Sequence, residues 1–239
     1  MAFYRTFSEK KLTGAGAARR GKIEQARFGM VSTLIKAPAD FLEVGPGQGA
    51  IADLAMDAGY RYKAVEPSAI LVEQLRARGI EVTEAFTPPI PAPDASMDIV
   101  YADQVVEHMS GIDAARAWVA EALRILRPGG VLFVVVPDYL KEREFFWDID
   151  YTHNFITTER RMRQLLYDGG FDVTHMVRSI GLATGVRRDL LAGAAMLANA
   201  PGLDPLSRYT GTEELLFKVR KNLFETLAFT ARKPGTDTK

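Results

Sequence analysis

Short apolar runs alternate along this chain with segments whose apolar side chains recur every three or four positions, the pattern of a parallel sheet covered by helices on both faces. The sequence predicts strands over 39–45, 61–66, 80–84 and 97–102, with helices over 50–58, 68–79 and 111–126 between them. Ser68 is the expected cap of the second helix. Residues 131–136 are uninterruptedly apolar, as in a central strand buried on both faces. Pro128-Gly129-Gly130 is the expected stop of the helix before it. The proline-rich stretch from Thr87 lacks ladder amides and is read as a connection. Beyond Pro137 the alternation breaks: 138–154 is aromatic-rich and irregular, 157–168 helical, and strands are expected over 171–179 and 223–231.

The stretch between those last two strands, roughly 40 residues, is far longer than an ordinary connection and must carry structure of its own. Within it 190–197 is apolar and alanine-rich, 201–209 turn-like and 212–220 helical. A small helical cap over 180–222 is expected, packing on the sheet edge, with a homodimer interface or membrane-surface contact as the alternative. The chain therefore divides into an N-terminal helical cover over 1–36, a core over 37–179 and 223–239, and the inserted cap.

A length of 239 residues with 47% hydrophobic content suits one such domain. Thirty basic and thirty acidic residues balance, so the total charge gives no reason to expect a nucleic-acid partner. The bases are concentrated in 1–36, which reads as a solvated helix face or as a guide for an anionic substrate. The absence of cysteine excludes disulfides and thiolate nucleophiles. The opening MAFYRTFSEKK has no apolar signal core and no run approaches the ~20 residues of a transmembrane span, so a cytoplasmic location is predicted.

Chemistry concentrates in three places. Phe41-Leu42-Glu43-Val44-Gly45-Pro46-Gly47-Gln48-Gly49 runs from a strand through three alternating glycines into a helix, where free amides and the lack of Cβ atoms allow a ligand to approach the backbone. The third glycine comes one position earlier than in the dinucleotide pattern G-x-G-x-x-G, and an acidic residue precedes the first; both departures favour S-adenosylmethionine (SAM) over NAD. Glu66, followed by Pro67, ends the second strand about 20 residues on, where a carboxylate can accept from ribose hydroxyls. The third stretch runs from Met97-Asp98-Ile99-Val100 through Asp103 to Glu107-His108, followed by Leu123-Arg124-Ile125-Leu126-Arg127-Pro128-Gly129-Gly130.

Taken in order, E-x-G-x-G-x-G, an acidic ribose binder, D-x-V, an E-H pair and L-R-P-G-G resemble the bacterial class I SAM-dependent methyltransferases of types 11 and 12. The resemblance covers about 40–171 and implies a Rossmann-like α/β fold with a seven-stranded mixed sheet of order 3-2-1-4-5-7-6. It implies that Glu43, Gly45, Pro46, Gly47 and Gly49 surround the methionine part of SAM and that Glu66 and Pro67 meet the ribose. Phe86 and Thr87 would border the adenine, and Ala102 and Asp103 would lie beneath the sulfonium. The acidic-amide pair found near adenine in many relatives is missing. The segment Asp150-Tyr151-Thr152-His153, with Thr157 and Gly169-Gly170-Phe171 after it, is similar to a pattern in sugar- and polysaccharide-tailoring members.

Methyl transfer from a sulfonium is an in-line displacement, so positioning supplies much of the catalysis. A hydroxyl acceptor, on a small molecule or glycan precursor, also calls for a base near neutral pKa. Of three histidines, His108 and His153 follow strand ends on the cofactor side and are the candidate bases, whereas His175 lies within a strand and reads as structural. Asp103 is an alternative orienter for an amine acceptor. No metal is expected, because no Cys, His and carboxylate spacing looks like a ligand set. A SAM-binding scaffold without activity and, less favoured, a nicotinamide oxidoreductase are the other readings.

Overall fold

The computed structural model describes residues 14–235. The strands are β1 (Asp40–Val44), β2 (Arg61–Glu66), β3 (Val82–Glu84), β4 (Met97–Asp103), β5 (Leu126–Pro137), β6 (Asp172–Ile180) and β7 (Glu225–Arg232). They form one sheet in the order β3-β2-β1-β4-β5-β7-β6, parallel except for β7, which runs antiparallel to β5 and β6. Helix α1 (Gly14–Ser32) precedes the sheet, α2 (Ala50–Asp57) and α3 (Ala69–Ala77) follow β1 and β2, and α4 (Ile112–Ile125) follows β4.

Side-chain alternation along the strands builds two cores. Phe41, Tyr62, Ile99, Tyr101 and Phe133 point to the face covered by α1 through Phe28 and Val31 and by α2 through Ile51, Ala52 and Ala55. Leu42, Val44, Val100, Leu132 and Val134 point to the other face, against Trp118, Val119 and Ala122 of α4. Met162 and Leu166 of α7 (Glu159–Asp168) extend that second core. Both faces of β1, β4 and β5 are therefore covered, and in β5 this gives an uninterrupted apolar run over 131–136.

The structure revises several sequence expectations. Ser68 occupies the N-cap position but makes no side-chain cap bond; its amide donates to the Glu66 carboxylate at 3.0 Å. Helix α4 stops at Ile125, before Pro128-Gly129-Gly130, and β5 begins at once, with Leu126 opposite Met97. Gly129 and Gly130 pair with Lys233 through backbone bonds of 2.9 Å. The irregular 138–154 contains two one-turn helices, α5 (Tyr139–Glu142) and α6 (Phe145–Asp148). The insertion folds as three helices, α8 (Gly185–Ala198), α9 (Leu203–Thr210) and α10 (Glu213–Asn222), with α8 against β6. Helix α9 covers the stretch read as turn-like. Its Pro205 lies in the first turn, where a missing amide costs no helical bond.

Among the described residues no helix is long and apolar enough to cross a membrane.

Candidate active site

Gly45, Gly47 and Gly49 carry the chain from β1 into α2 with φ of 71°, 54° and 75°. A side chain is disfavoured at all three by conformation alone. The expectation that each glycine leaves room for a ligand holds for only one. A Cβ at Gly45 would lie 2.8 Å from Val105 and one at Gly49 2.6 Å from Leu75, whereas one at Gly47 would meet nothing within 4 Å. Pro46 is enclosed, and its carbonyl accepts from the Gly49 amide at 2.8 Å. Arg78, after α3, donates to the Gln48 carbonyl at 2.6 Å and to Asp53 at 2.5 Å, bracing the turn.

Three carboxylates face this turn region from adjacent strand ends. Glu43 is buried on β1 and accepts from the Tyr62 hydroxyl of β2. Burial pushes its pKa up to about 8, helped by Asp103, Glu24 and Glu66 and opposed by the Tyr62 bond. Glu66 is also raised by burial, with the Ser68 and Gly47 amides pulling it back. Asp103, at the end of β4, pairs through Oδ2 with Arg27 of α1 while its buried Oδ1 has no partner. Arg27 also donates to Thr226 at 3.1 Å. Arg27 is thus half of an enclosed ion pair rather than part of a solvated helix face.

The remaining predicted cofactor residues divide. Phe86, just past β3, is 71% exposed, with Thr87 beside it half-buried, and Pro67 is half-buried next to Glu66. Ala102, near the end of β4 beside Val44 of β1, is enclosed in the α4-side core. The expected cover splits likewise: α1 lies over the sheet, with Arg19 donating to the Asn222 carbonyl at 3.0 Å, and Tyr4–Thr13 lie outside the described residues.

The fold brings His108 and His153 together. The rings are 4.9 Å apart between centroids. His108 closes a 3₁₀ turn over Val106–His108, and the amides of Asn154 and Phe155 both donate to the Glu107 carbonyl at 2.9 Å, tying the 150–155 segment to that turn. The Thr152 hydroxyl donates to Asp150 Oδ1 at 2.6 Å, so it accepts from His108 Nδ1 at 2.8 Å. His153 Nδ1 donates to the Phe146 carbonyl at 2.5 Å. Nδ1 therefore carries the proton on both neutral rings and Nε2 remains the basic nitrogen. Burial lowers both pKa values, and His153 lowers that of His108 further. His175 is exposed on the edge strand β6, away from this pair. Of the aromatics between 138 and 155, Phe145, Phe146 and Phe155 are core, while Trp147 and Tyr151 are exposed.

Sequence reasoning missed Arg27, Tyr62 and the side-chain role of Glu107. Glu107 is fully buried with neither carboxylate oxygen hydrogen-bonded, and one of them lies within 4.8 Å of a nitrogen of each histidine. The E-H pair was its only signal. For Arg27 no spacing distinguishes it from its basic neighbours.

Residues 19–176 match the methyltransferase-domain family. A protein of Mycolicibacterium smegmatis, "Probable S-adenosylmethionine-dependent methyltransferase", is 39% identical over 101 residues, covering 41% of this chain and 38% of that protein. The similarity thus spans less than two fifths of that relative's length. Among solved structures, a SAM-dependent methyltransferase of Mesorhizobium loti has a TM-score of 0.63 at 14% identity, covering 90% of this chain and all of that one. The Haemonchus contortus phosphoethanolamine N-methyltransferase 2, in complex with phosphomonomethylethanolamine and S-adenosylhomocysteine, has a TM-score of 0.62 at 15% identity, covering 88% and 52%.

Proposed function

Because the chain belongs to the methyltransferase-domain family, we propose that it is an active enzyme that moves a methyl group from SAM to a hydroxyl of a small molecule or sugar precursor. The observation that carries the reading is the convergence of the three-glycine turn, Glu66 and the half-satisfied Asp103 at the carboxyl ends of adjacent parallel strands, where α/β sheets bind ligands.

The residues suit this cofactor. Gly47 offers a surface with no protein atom where its Cβ would be, and Asp103 Oδ1 is a buried acceptor still lacking a donor. Glu43 and Asp103 would hold the ammonium of the methionine part, Arg27 its carboxylate, Glu66 and Pro67 the ribose, and Phe86 with Thr87 the adenine. When bound, SAM supplies an electrophilic methyl on a good leaving group, yielding S-adenosylhomocysteine. The chain's own contribution is to orient the acceptor and to receive its proton. The Nε2 atoms of His108 and His153 supply basic positions for that, and burial keeps both rings neutral near pH 7. This proton-accepting side favours a hydroxyl over an amine, because a neutral amine attacks before it loses its proton.

Calorimetry with SAM tests the reading. The wild type is expected to bind, and Glu66→Ala to bind ~1–3 kcal/mol more weakly through loss of hydrogen bonds to the ribose. A wild type that gives no heat with SAM refutes the cofactor, and an unchanged Glu66→Ala refutes the ribose assignment. Turnover of labelled SAM with sugar and phenol acceptors separates an enzyme from an inactive binding scaffold.

The exposed Leu190, Met196, Leu197 and Tyr209 of α8 and α9 support a homodimer through the inserted helices.

A further inference from the structure

Glu107, His108 and His153 present a bonding problem that the reading above leaves open. Glu107 is 0% exposed, and neither of its carboxylate oxygens has a hydrogen-bond partner. Buried carboxyl oxygens ordinarily have a hydrogen-bond partner or coordinate an ion, and both of these lack a hydrogen-bond partner. His108 and His153 each spend Nδ1–H on a neighbour, Thr152 and the Phe146 carbonyl. What they can offer is an Nε2 lone pair. The three residues offer ligand atoms that all lie within 4.8 Å of one another, two ring nitrogens and a carboxyl oxygen.

We propose that Glu107, His108 and His153 bind one divalent first-row transition ion of the zinc type, and that this ion forms the acceptor side of the methyltransferase site.

The surroundings of the ligands support this independently of the donor set. Histidines that bind metals nearly always donate the second ring nitrogen to a carboxylate, a carbonyl or water, which fixes the tautomer and raises basicity. His153 donates to a backbone carbonyl at 2.5 Å. His108 donates to Thr152, which is itself held by the Asp150 carboxylate at 2.6 Å. The sequence element Asp150-x-Thr152-His153 thus places one ligand and orients the other. The two amide bonds to the Glu107 carbonyl hold the two segments in register without using any donor atom.

Ligand chemistry selects the ion. Two imidazoles and a carboxylate suit zinc, cobalt, manganese or iron, whereas magnesium and calcium take oxygen ligands. Three protein ligands leave a coordination position for an oxygen, as in catalytic rather than structural sites. His108 is the least buried of the three and marks the open side. The expectation of metal-free chemistry from sequence spacing is replaced by this inference: the third ligand lies 45 positions from His108, too far along the chain for any ligand spacing to reveal it.

The inference rests on the proposed function and replaces its proton-accepting histidines, since a ring nitrogen that holds the ion does not also take a proton; its test needs neither SAM nor acceptor. Untagged protein stripped with EDTA and desalted is titrated with Co²⁺, read by its visible d–d absorption, and with Zn²⁺ by calorimetry. One ion per chain is expected. Glu107→Gln and His153→Ala are each expected to weaken binding by about 100-fold or more, since second-shell losses alone cost about 10–100-fold. His175→Ala, at the remaining imidazole, leaves binding unchanged. Circular dichroism confirms that each variant is folded. If the wild type takes up no Co²⁺ at about 1 mM, if Glu107→Gln and His153→Ala both bind as the wild type does, or if Mg²⁺ competes on equal terms, the inference is overturned. SAM titration of the same samples separates the two readings. Protein that binds SAM but no Co²⁺ refutes only the metal site, and protein that binds Co²⁺ but no SAM refutes only the cofactor reading.

Discussion

Replacing Glu43 by Gln should make the protein more stable at neutral pH and leave it nearly unchanged in acid. Glu43 lies buried between β1, β2 and α1, where it accepts from Tyr62 and faces Asp103, Glu24 and Glu66. Arg27 is already committed to Asp103. Burial, with those like charges, raises the carboxyl from 4.5 to about 8. A folded-state pKa above the unfolded value means that the folded protein holds the proton more tightly. The contribution to stability is therefore full below pH 4.5 and lost as pH rises toward 8. At 1.36 kcal/mol per pKa unit, the loss is under ~1 kcal/mol at about pH 5 and ~3 kcal/mol at about pH 7.

Glutamine mimics the protonated acid and keeps an acceptor for the Tyr62 hydroxyl. The variant should exceed the wild type by under ~1 kcal/mol at about pH 5 and by ~3 kcal/mol at about pH 7. Urea unfolding without ligand, repeated at both pH values, measures the difference. Taking the difference removes groups common to both proteins, including Glu142, which burial also raises to about 8. A wild-type-to-variant gap that stays constant over this range would refute the assignment of a buried, protonated Glu43. In the proposed function the same residue meets an ammonium, so SAM binding should release a proton from the wild type and none from the variant. Calorimetry in buffers of different ionisation enthalpy reads that release.

The glycine turn should separate folding from binding. Gly47→Ala, strained only by φ 54°, should cost ~1–2 kcal/mol of stability yet abolish SAM binding; retained binding would show that the cofactor does not pass there. Gly49→Ala adds a clash with Leu75 at 2.6 Å to the same strain and should cost ~2–4 kcal/mol in urea unfolding. For the inserted helices, sedimentation velocity is expected to show a wild-type dimer that Leu190→Glu with Leu197→Glu converts to monomer. A wild-type monomer would remove the dimer proposal.

How far each feature could be read from the chain depended on how local its cause is. The core of β5 was legible because burial on both faces leaves an unbroken apolar run over 131–136; its far edge fell one residue from the observed bound, while the strand begins five residues earlier, at Leu126. Glu66 was legible because a fixed strand-turn-helix-strand length brings it to the glycines. The sheet order came from the family resemblance, since apolar patterning does not say which strand pairs with which. Helix α9 was misread because proline and glycine usually mark turns, and only their placement around a first helical turn reverses that.

Charge was the least legible property, for a physical reason. The cost of a buried charge depends on partners that the fold delivers from elsewhere: Arg27 meets Asp103 across 76 positions, and His153 reaches Glu107 only because two amides clamp the loop to the 3₁₀ turn. A sequence reading that treats basic runs as solvated and ligand sets as closely spaced will miss both. The E-H pair and the D-x-T-H element looked like two separate family marks along the chain. In the folded protein they form one device, in which Asp150 holds Thr152, Thr152 orients His108, and His153 faces it beside an unsatisfied carboxylate. On this argument the two elements belong together physically, because either one alone would leave buried polar groups without the partners that the other supplies.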